Sequence, residues 1–258
     1  MTEQSVIFFD IDGTLLDHDK QLPKSTKESI FQLKSQGHVV AIATGRGPFM
    51  FKELREELDI DTFVSFNGQY VVVKGKVADV NSLHVPSLER LTNDALQKNH
   101  PVVFMDHAVM KANVPSHPFI EESIATLKVG LPTHDPLYFQ HNDIYQTLLF
   151  CEEGEEKQYE EAFPAFDFVR WHRLGVDVLP KGGSKAKGIE KVMEKLQFPK
   201  SRQYAFGDGL NDIEMLQTIT NSVAMGNAEE TVKSYAKHVT KPVDQDGIYH
   251  GLKMVGLL

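Results

Sequence analysis

Ser5-Val6-Ile7-Phe8-Phe9-Asp10-Ile11-Asp12-Gly13-Thr14 is the stretch on which the fold turns. Ser5 to Phe9 is a short run of β-branched and aromatic residues without polar alternation, the pattern of a strand buried on both faces. It breaks into two carboxylates and a glycine, and the polar segment from Asp10 to Asp19 predicts a loop. In doubly wound sheets the loops at the carboxyl ends of strands carry the functional groups. Moving outward, Ser25 opens a helix that Ile30 and Leu33 continue and Gly37 stops. His38 to Ala43 predicts a second buried strand, Thr44-Gly45-Arg46-Gly47 a turn, Phe49 to Leu58 a helix and Thr62 to Phe66 a third strand. Strand, helix, strand, helix, strand favours a parallel sheet with covering helices. Asn67-Gly68 predicts a tight hairpin between Val64-Ser65-Phe66 and Tyr70 to Val73, and Lys74-Gly75-Lys76 a second turn.

The rhythm changes near Ser82. From there to about Lys181, short strands and helices alternate at proline-marked joints (Pro86, Pro101, Pro115, Pro118, Pro132, Pro136). Helices are expected at Ser87–Asn99, Pro118–Leu127 and Glu155–Phe163. Strands are expected at Val102–Met105, Ala108–Ala112, Ile144–Phe150, Phe166–Trp171 and Val176–Leu179, making a sheet with helices on one face. After Pro180 the first rhythm returns, with helix Lys185–Leu196, strand Tyr204–Phe206, helix Asn211–Leu216, strand Asn221–Met225, helix Glu229–Tyr235 and strand His238–Thr240. The expected organisation is an α/β core of residues 1–81 and 184–258 with an α/β domain, 82–183, inserted into it.

The chain has 258 residues and a mass of 29.1 kDa, enough to bury roughly 31,000 Å² of about 42,000 Å² on folding. Hydrophobic residues make up 41% and charged residues 24%, which excludes a disordered or fibrous chain. With 27 basic and 36 acidic residues the net charge is −9. That balance repels nucleic acid and anionic lipid, so neither is expected as a partner, and an anionic substrate would need local cationic help. A single cysteine, Cys151, excludes an intramolecular disulfide and fits a reducing, cytoplasmic setting. No apolar run approaches a signal or a membrane span.

Four loops carry the candidate chemistry. Asp10 and Asp12, two apart on a glycine-bent loop, suit a nucleophile and metal ligand paired with an acid/base, although an isolated Asp-x-Asp-Gly is also a plain solvated turn. A calcium loop fails, because Thr14 and Leu15 stand where a ligand and a glycine are needed. Thr44-Gly45-Arg46 offers a hydroxyl and amides to a phosphate oxygen, or simply a helix cap. Lys185, after Lys181-Gly182-Gly183-Ser184, sits at a helix start where the dipole disfavours a cation; it is either a surface lysine or the partner of an anion. Gly207-Asp208-Gly209-Leu210-Asn211-Asp212 follows a strand; its carboxylates suit a divalent cation rather than a dinucleotide, and a polar cap is the alternative. Acids from the first and fourth loops with hydroxyl, amide and lysine from the second and third are the set that phosphoryl transfer needs.

In this order the four loops resemble the signature motifs of the haloacid dehalogenase superfamily, and the resemblance spans essentially the whole chain. The insertion between the second and third motifs is similar to the C2-type cap of the Cof-like phosphatases, as are Phe66-Asn67-Gly68 and Lys181-Gly182-Gly183-Ser184-Lys185. The resemblance implies a Rossmannoid parallel-sheet core and a Mg²⁺-dependent phosphatase of small phosphorylated metabolites such as sugar phosphates. Asp10 would be the nucleophile, forming an aspartyl-phosphate and binding Mg²⁺. Asp12 would be the acid/base and bind the metal through its main-chain carbonyl. Asp208 would be a further ligand, and Asp212 a direct or water-mediated one. Thr44, Gly45, Arg46, Lys185 and Asn211 would hold the phosphoryl group or substrate. Asp12 argues against dehalogenases, which lack it, and against P-type ATPases, which carry threonine there. A phosphomutase and a non-catalytic phosphometabolite-binding protein are the competing readings.

Beyond the motifs, Asn67 is a candidate substrate contact beside Arg46. Trp171-His172-Arg173 reads as a polar turn with a packed tryptophan. His84, His100, His107, His117, His134 and His141 lack metal-ligand spacing and read as surface or loop residues. Cys151 reads as structural, and Glu152-Glu153-Gly154-Glu155-Glu156 as a solvated helix start.

Overall fold

The computed structural model describes residues 3–258. In chain order its elements are β1 (Val6–Phe9), α1 (Lys24–Ser35), β2 (Val39–Ala43), α2 (Lys52–Leu58), β3 (Phe63–Ser65), β4 (Tyr70–Val73) and β5 (Lys76–Val80). Next come α3 (Val85–Gln97), β6 (Val102–Met105), β7 (Met110–Ala112), α4 (Pro118–Thr126), β8 (Thr133–His134), β9 (Gln146–Phe150), α5 (Lys157–Ala162), β10 (Phe166–His172) and β11 (Gly175–Pro180). The last third holds α6 (Lys185–Leu196), β12 (Gln203–Gly207), α7 (Ile213–Thr218), β13 (Asn221–Ala224), α8 (Glu230–Lys233), β14 (His238–Val239) and α9 (Gly247–Met254). The chain forms two compact units: one runs to Arg46, resumes over Lys52–Asp79 and ends with Ser184–Leu258, and the other comprises Gly47–Phe51 and Val80–Gly183.

The first unit is built on a sheet of order β14-β13-β12-β1-β2-β3-β4-β5. β1 lies at its centre, parallel to both β12 and β2, with Phe9 opposite Phe206 and Ile42. All four β1 side chains are fully buried, each worth roughly 1.5–3 kcal/mol. Val6, Phe8, Ala41, Ala43, Val64 and Ala205 pack with Ile189 and Val192 of α6 and Met215 of α7. On α1, Thr26, Ser29, Ile30 and Leu33 form one buried stripe at helical spacing, and the helix packs against β2 and α9. The strand order runs outward from β1 through β2 and β3 on one side and from β12 through β13 and β14 on the other. The carboxyl ends of β1 and β12 therefore flank the point where the winding reverses, the crevice where such sheets bind ligands.

The second unit holds a sheet of order β10-β11-β9-β6-β7-β8, antiparallel except for the parallel β7–β8 pair. Leu88, Leu91 and Ala95 of α3 and Tyr159 of α5 share a buried cluster with Val102, Phe104, Leu149, Val176 and Val178 of the sheet. The buried Ile120 and Ile124 of α4 stand outside that cluster.

Several local expectations need correction. The β3–β4 connection is a four-residue turn, because Ser65 pairs with Tyr70. The helix expected from Phe49 starts as a 3-10 turn, Pro48–Phe51, before α2, and the helix expected from Asn211 starts as a 3-10 turn, Leu210–Asp212, before α7. His100 lies in a loop, as expected, but is buried: its Nδ1 lies 2.8 Å from the Tyr159 hydroxyl and its Nε2 3.2 Å from Glu155. Glu156 is not solvated either, but forms an ion pair with Arg170. The strand β10 extends to His172, and Arg173 pairs with Glu122.

Candidate active site

Asp10 leaves β1 with its N–H still donating to the Phe206 carbonyl at 3.0 Å, so the strand pairing itself delivers its side chain to the winding reversal. The loop then folds back on itself: Leu15 N–H donates to the Asp10 carbonyl and Leu16 N–H to that of Ile11. Gly13 is required twice. Its φ is +80°, and a Cβ would lie 2.1 Å from Asp208 Oδ2, so only glycine lets the β1 and β12 loops meet. Thr14 Oγ1 crosses that junction to donate to Asp208 Oδ1 at 2.7 Å.

Lys185 joins the third loop to the first and fourth. Its Nζ lies 2.6 Å from Asp10 Oδ1 and 2.6 Å from Asp212 Oδ1, and the residue is 1% exposed. At an effective dielectric of about 20 each contact is worth roughly 6 kcal/mol, against a desolvation cost of several kcal/mol for the buried ammonium. Asp10 and Asp212 are desolvated as well, so the two contacts together are set against the cost of three buried charges. Burial opposes the charge on Lys185, but Asp10 and Asp212 outweigh it and hold the ammonium above its ordinary range. Asp212 has both oxygens committed, Oδ1 to Lys185 and Oδ2 to the N–H groups of Asp208 and Gly209 at 2.9 Å each.

Burial raises the Asp10 carboxyl to about 8 in spite of Lys185, with Asp212 and Asp208 adding to the rise. Burial likewise raises Asp208 to about 6, against the Thr14 hydrogen bond. Among the described residues, Asp10, Asp208 and Asp212 are the one acidic or His/Cys group whose ligand atoms all lie within 4.8 Å of one another. Three crowded carboxylates, two of them pushed towards neutrality by burial, fit a hard divalent cation, whose charge would restore their ionised form. The Asp12 carboxylate is not in this group.

Asp12 is held elsewhere. Arg46 grips it with Nε at 2.7 Å and a terminal nitrogen at 2.6 Å, and Lys20 Nζ approaches to 2.5 Å. Burial alone would raise this carboxyl, but Arg46 and Lys20 outweigh it and hold it below its ordinary value. The Arg46 guanidinium expected to meet substrate is thus engaged with Asp12. Thr44 Oγ1 accepts from the Arg46 N–H at 3.1 Å, which leaves its own proton available to donate. Gly45 passes beside the Asn67 amide, and Asn211 Nδ2 donates to Asn67 Oδ1 at 3.2 Å.

Two residues of this constellation are missing from the sequence reading. Asn227 donates to the Gly13 carbonyl at 2.9 Å and to Asp208 Oδ2 at 3.2 Å, while its Oδ1 accepts from Val243 N–H. It lies just past the carboxyl end of β13, the position rule that marked the other loops, so a signal was present. Lys20 sits in a polar loop and has no comparable mark.

Acidic loops and a buried lysine gathered at the reversal point of a parallel sheet define a class of doubly wound enzymes that handle anions with local cations. The chain matches the model of the haloacid dehalogenase-like hydrolases over residues 7–252. It is 51% identical over 256 residues to a Bacillus subtilis protein named "Putative phosphatase YkrA", covering 99% of each. A crystal structure of a hypothetical protein from Geobacillus kaustophilus HTA426 is similar at a TM-score of 0.95 and 54% identity, covering 99% of this chain and 100% of that one. BT4131, described as a HAD subclass IIB sugar phosphatase, is similar at a TM-score of 0.86 and 31% identity, over 98% of this chain and 100% of that one. The chain belongs to the haloacid dehalogenase-like hydrolase family, as an enzyme of its phosphatase class.

Proposed function

We propose that this chain is a Mg²⁺-dependent hydrolase of small phosphate monoesters, sugar phosphates or similar metabolites, acting through an aspartyl-phosphate on Asp10. The observation that carries the reading is the convergence of Asp10, Asp208 and Asp212 on one point with Lys185 Nζ between Asp10 and Asp212. Asp10 Oδ1 faces Lys185, which leaves Oδ2 to attack phosphorus while the bond to the leaving oxygen breaks. With Arg46 drawn off by substrate, the Asp12 carboxyl takes up a proton from solvent and gives it to the leaving alkoxide. Water then attacks the phosphorus, Asp12 takes the water's proton, and the bond to Asp10 breaks to release phosphate. Asp12 alternates between the two roles as Arg46 loosens and renews its hold. Thr44, the Gly45 N–H, Lys185 and Asn211 bind phosphoryl oxygens, and Arg46 reaches substrate only by loosening its grip on Asp12.

Mg²⁺ held by Asp10, Asp208 and the Asp12 main-chain carbonyl would neutralise the phosphoryl charge. Asp212, with its oxygens spent on Lys185 and two amides, supports this set from behind. A phosphoryl-transfer core of 1–81 and 184–258 and a substrate-selecting segment of 82–183 belong to the same proposal. So does a cytoplasmic setting: Cys151 is buried and free, and no helix of the described residues is long and apolar enough to cross a membrane. The sugar-phosphate part draws support from the likeness to BT4131.

The test is a panel of phosphorylated metabolites assayed for free phosphate with Mg²⁺ and with EDTA, ranked by kcat/KM. Phosphate release that EDTA abolishes is expected. Isomerised phosphosugar without free phosphate would make the chain a mutase, and inertness across metals and pH would make it a binding protein.

A further inference from the structure

The turn between β3 and β4 holds a backbone that side-chain-bearing residues rarely adopt. Phe66 and Asn67 have φ of 50° and 51°, two successive left-handed residues, neither of them glycine. Such a backbone persists only where its surroundings over-determine it, and it gathers at functional sites. Here the surroundings are the phosphoryl-binding loops. The Asn67 N–H donates to the Thr44 carbonyl at 3.1 Å, and the Phe66 N–H to the Arg46 carbonyl at 3.2 Å. Gly68, at φ +100°, approaches the start of α6 so closely that a Cβ would lie 2.1 Å from the Ser184 carbonyl oxygen, next to Lys185. The Asn67 side chain reaches the fourth loop through Asn211. One strained turn therefore touches all three segments that would hold the phosphoryl group.

The two asparagines differ in rigidity. Asn67 is 8% exposed and fixed by its backbone, whereas Asn211 is exposed on the short 3-10 turn Leu210–Asp212. An amide nitrogen carries two protons. With one of them given to Asn67 Oδ1, the second is left with a single direction. We infer that Asn67 is a positioning residue that orients the Asn211 amide for a phosphoryl oxygen; this rests on the phosphatase reading. Asparagine suits the place because it tolerates the left-handed backbone and supplies a fixed acceptor.

Glycine keeps the backbone and removes the acceptor, so Asn67→Gly separates the two roles. Affinity for inorganic phosphate, measured by calorimetry with Mg²⁺ present, and kcat/KM on p-nitrophenyl phosphate are compared for wild type, Asn67→Gly, Asn211→Ala and the double variant. Asn67→Gly is expected to lose about tenfold in each, and the double variant to be no worse than Asn211→Ala, because residues that act as one unit do not add. An unchanged Asn67→Gly, or losses that multiply, would overturn the assignment. If Asn67→Gly does not fold, wild type labelled with ¹⁵N-asparagine answers instead, with the Asn211 side-chain amide identified by its loss in Asn211→Ala. Phosphate should then shift one of its two protons, and equal shifts of both would overturn the assignment. Coupled phosphate binding without turnover would sink the phosphatase reading and leave Asn67 in its role; turnover with multiplying losses would do the reverse.

Discussion

Lys185 is a buried cation between two carboxylates, and what its removal leaves behind sets the cost. Lys185→Met strands Asp10 and Asp212 without their shared partner. Breaking a buried pair in this way costs about 3–5 kcal/mol, so urea unfolding without added metal should show a loss of that order along with absent turnover. Asp12 has the opposite character: its side chain is 37% exposed, and its orientation comes from Arg46 and Lys20. Asp12→Asn should fold normally and lose roughly 10²–10⁴-fold in kcat, the usual worth of a general acid/base. Normal turnover by that variant on alkyl phosphates would remove Asp12 from the proton path. At this scale much of the candidate site's layout is legible in the sequence. Asp10, Thr44, Lys185, Asn211 and the acids after β12 stand out because each follows a strand or opens a helix in one consistent register. Lys20 was not legible, because a loop lysine acquires its meaning only from the carboxylate it meets.

Among the elements, those defined by unbroken apolar runs were legible, and those defined by tertiary contact were not. β1, β2, β6 and β9 announce themselves as buried strands. The segment from Gly247 to Met254 has buried Ile248 and Leu252 four residues apart, yet its tyrosine, histidine and glycines mask the helix, and no element is expected there. The β3–β4 turn was placed but mistyped, since Asn-Gly suggests a two-residue hairpin whereas packing against α6 demands four residues. Gly68→Ala tests that packing. It meets both a positive φ and the Ser184 carbonyl, so a loss of about 3 kcal/mol or more is expected in thermal unfolding. The start of α5 offers a pH test. Arg170 grips Glu156 and also donates to the carbonyls of Cys151, Glu152, His172 and Arg173. The Arg170 hydrogen bond, opposed by burial, holds Glu156 at about 2 against an ordinary 4.5. A depressed acid contributes stability above its unfolded value and loses it as the pH falls towards its folded one. Arg170→Ala should therefore cost about 2–3 kcal/mol at neutral pH, and its deficit relative to wild type should shrink between about pH 5 and pH 2.

For the molecule as a whole, the net charge of −9 looks hostile to a phosphate ester. Part of that excess is the carboxylate cluster, so the same residues that repel an anion would recruit the cation that admits it. Phosphate binding is expected to depend on Mg²⁺ and Lys185 rather than on the overall field. A half-buried acid outside the cluster, Asp177 on β11, shows the contrast. Burial raises it to about 8, offset in part by a hydrogen bond from Gln146, and Gln146 Oε1 is buried without a partner. A raised acid contributes stability below its unfolded value and loses it as the pH rises through its folded value. Asp177→Asn supplies an amide donor for that oxygen and removes the ionisation. It should raise Tm at pH 8, by about 2–4 °C for each kcal/mol gained, with the gain fading towards pH 4. A variant no more stable than wild type at pH 8 would contradict the burial argument.

The central claim is that Asp10 attacks phosphorus with Mg²⁺ present, and phosphate release by wild type and Asp10→Asn, measured side by side on p-nitrophenyl phosphate with Mg²⁺ and with EDTA, tests it most directly. The account predicts turnover by wild type with Mg²⁺ alone and none by a folded Asp10→Asn under either condition. Full turnover by Asp10→Asn, or wild-type turnover that EDTA leaves untouched, would contradict it.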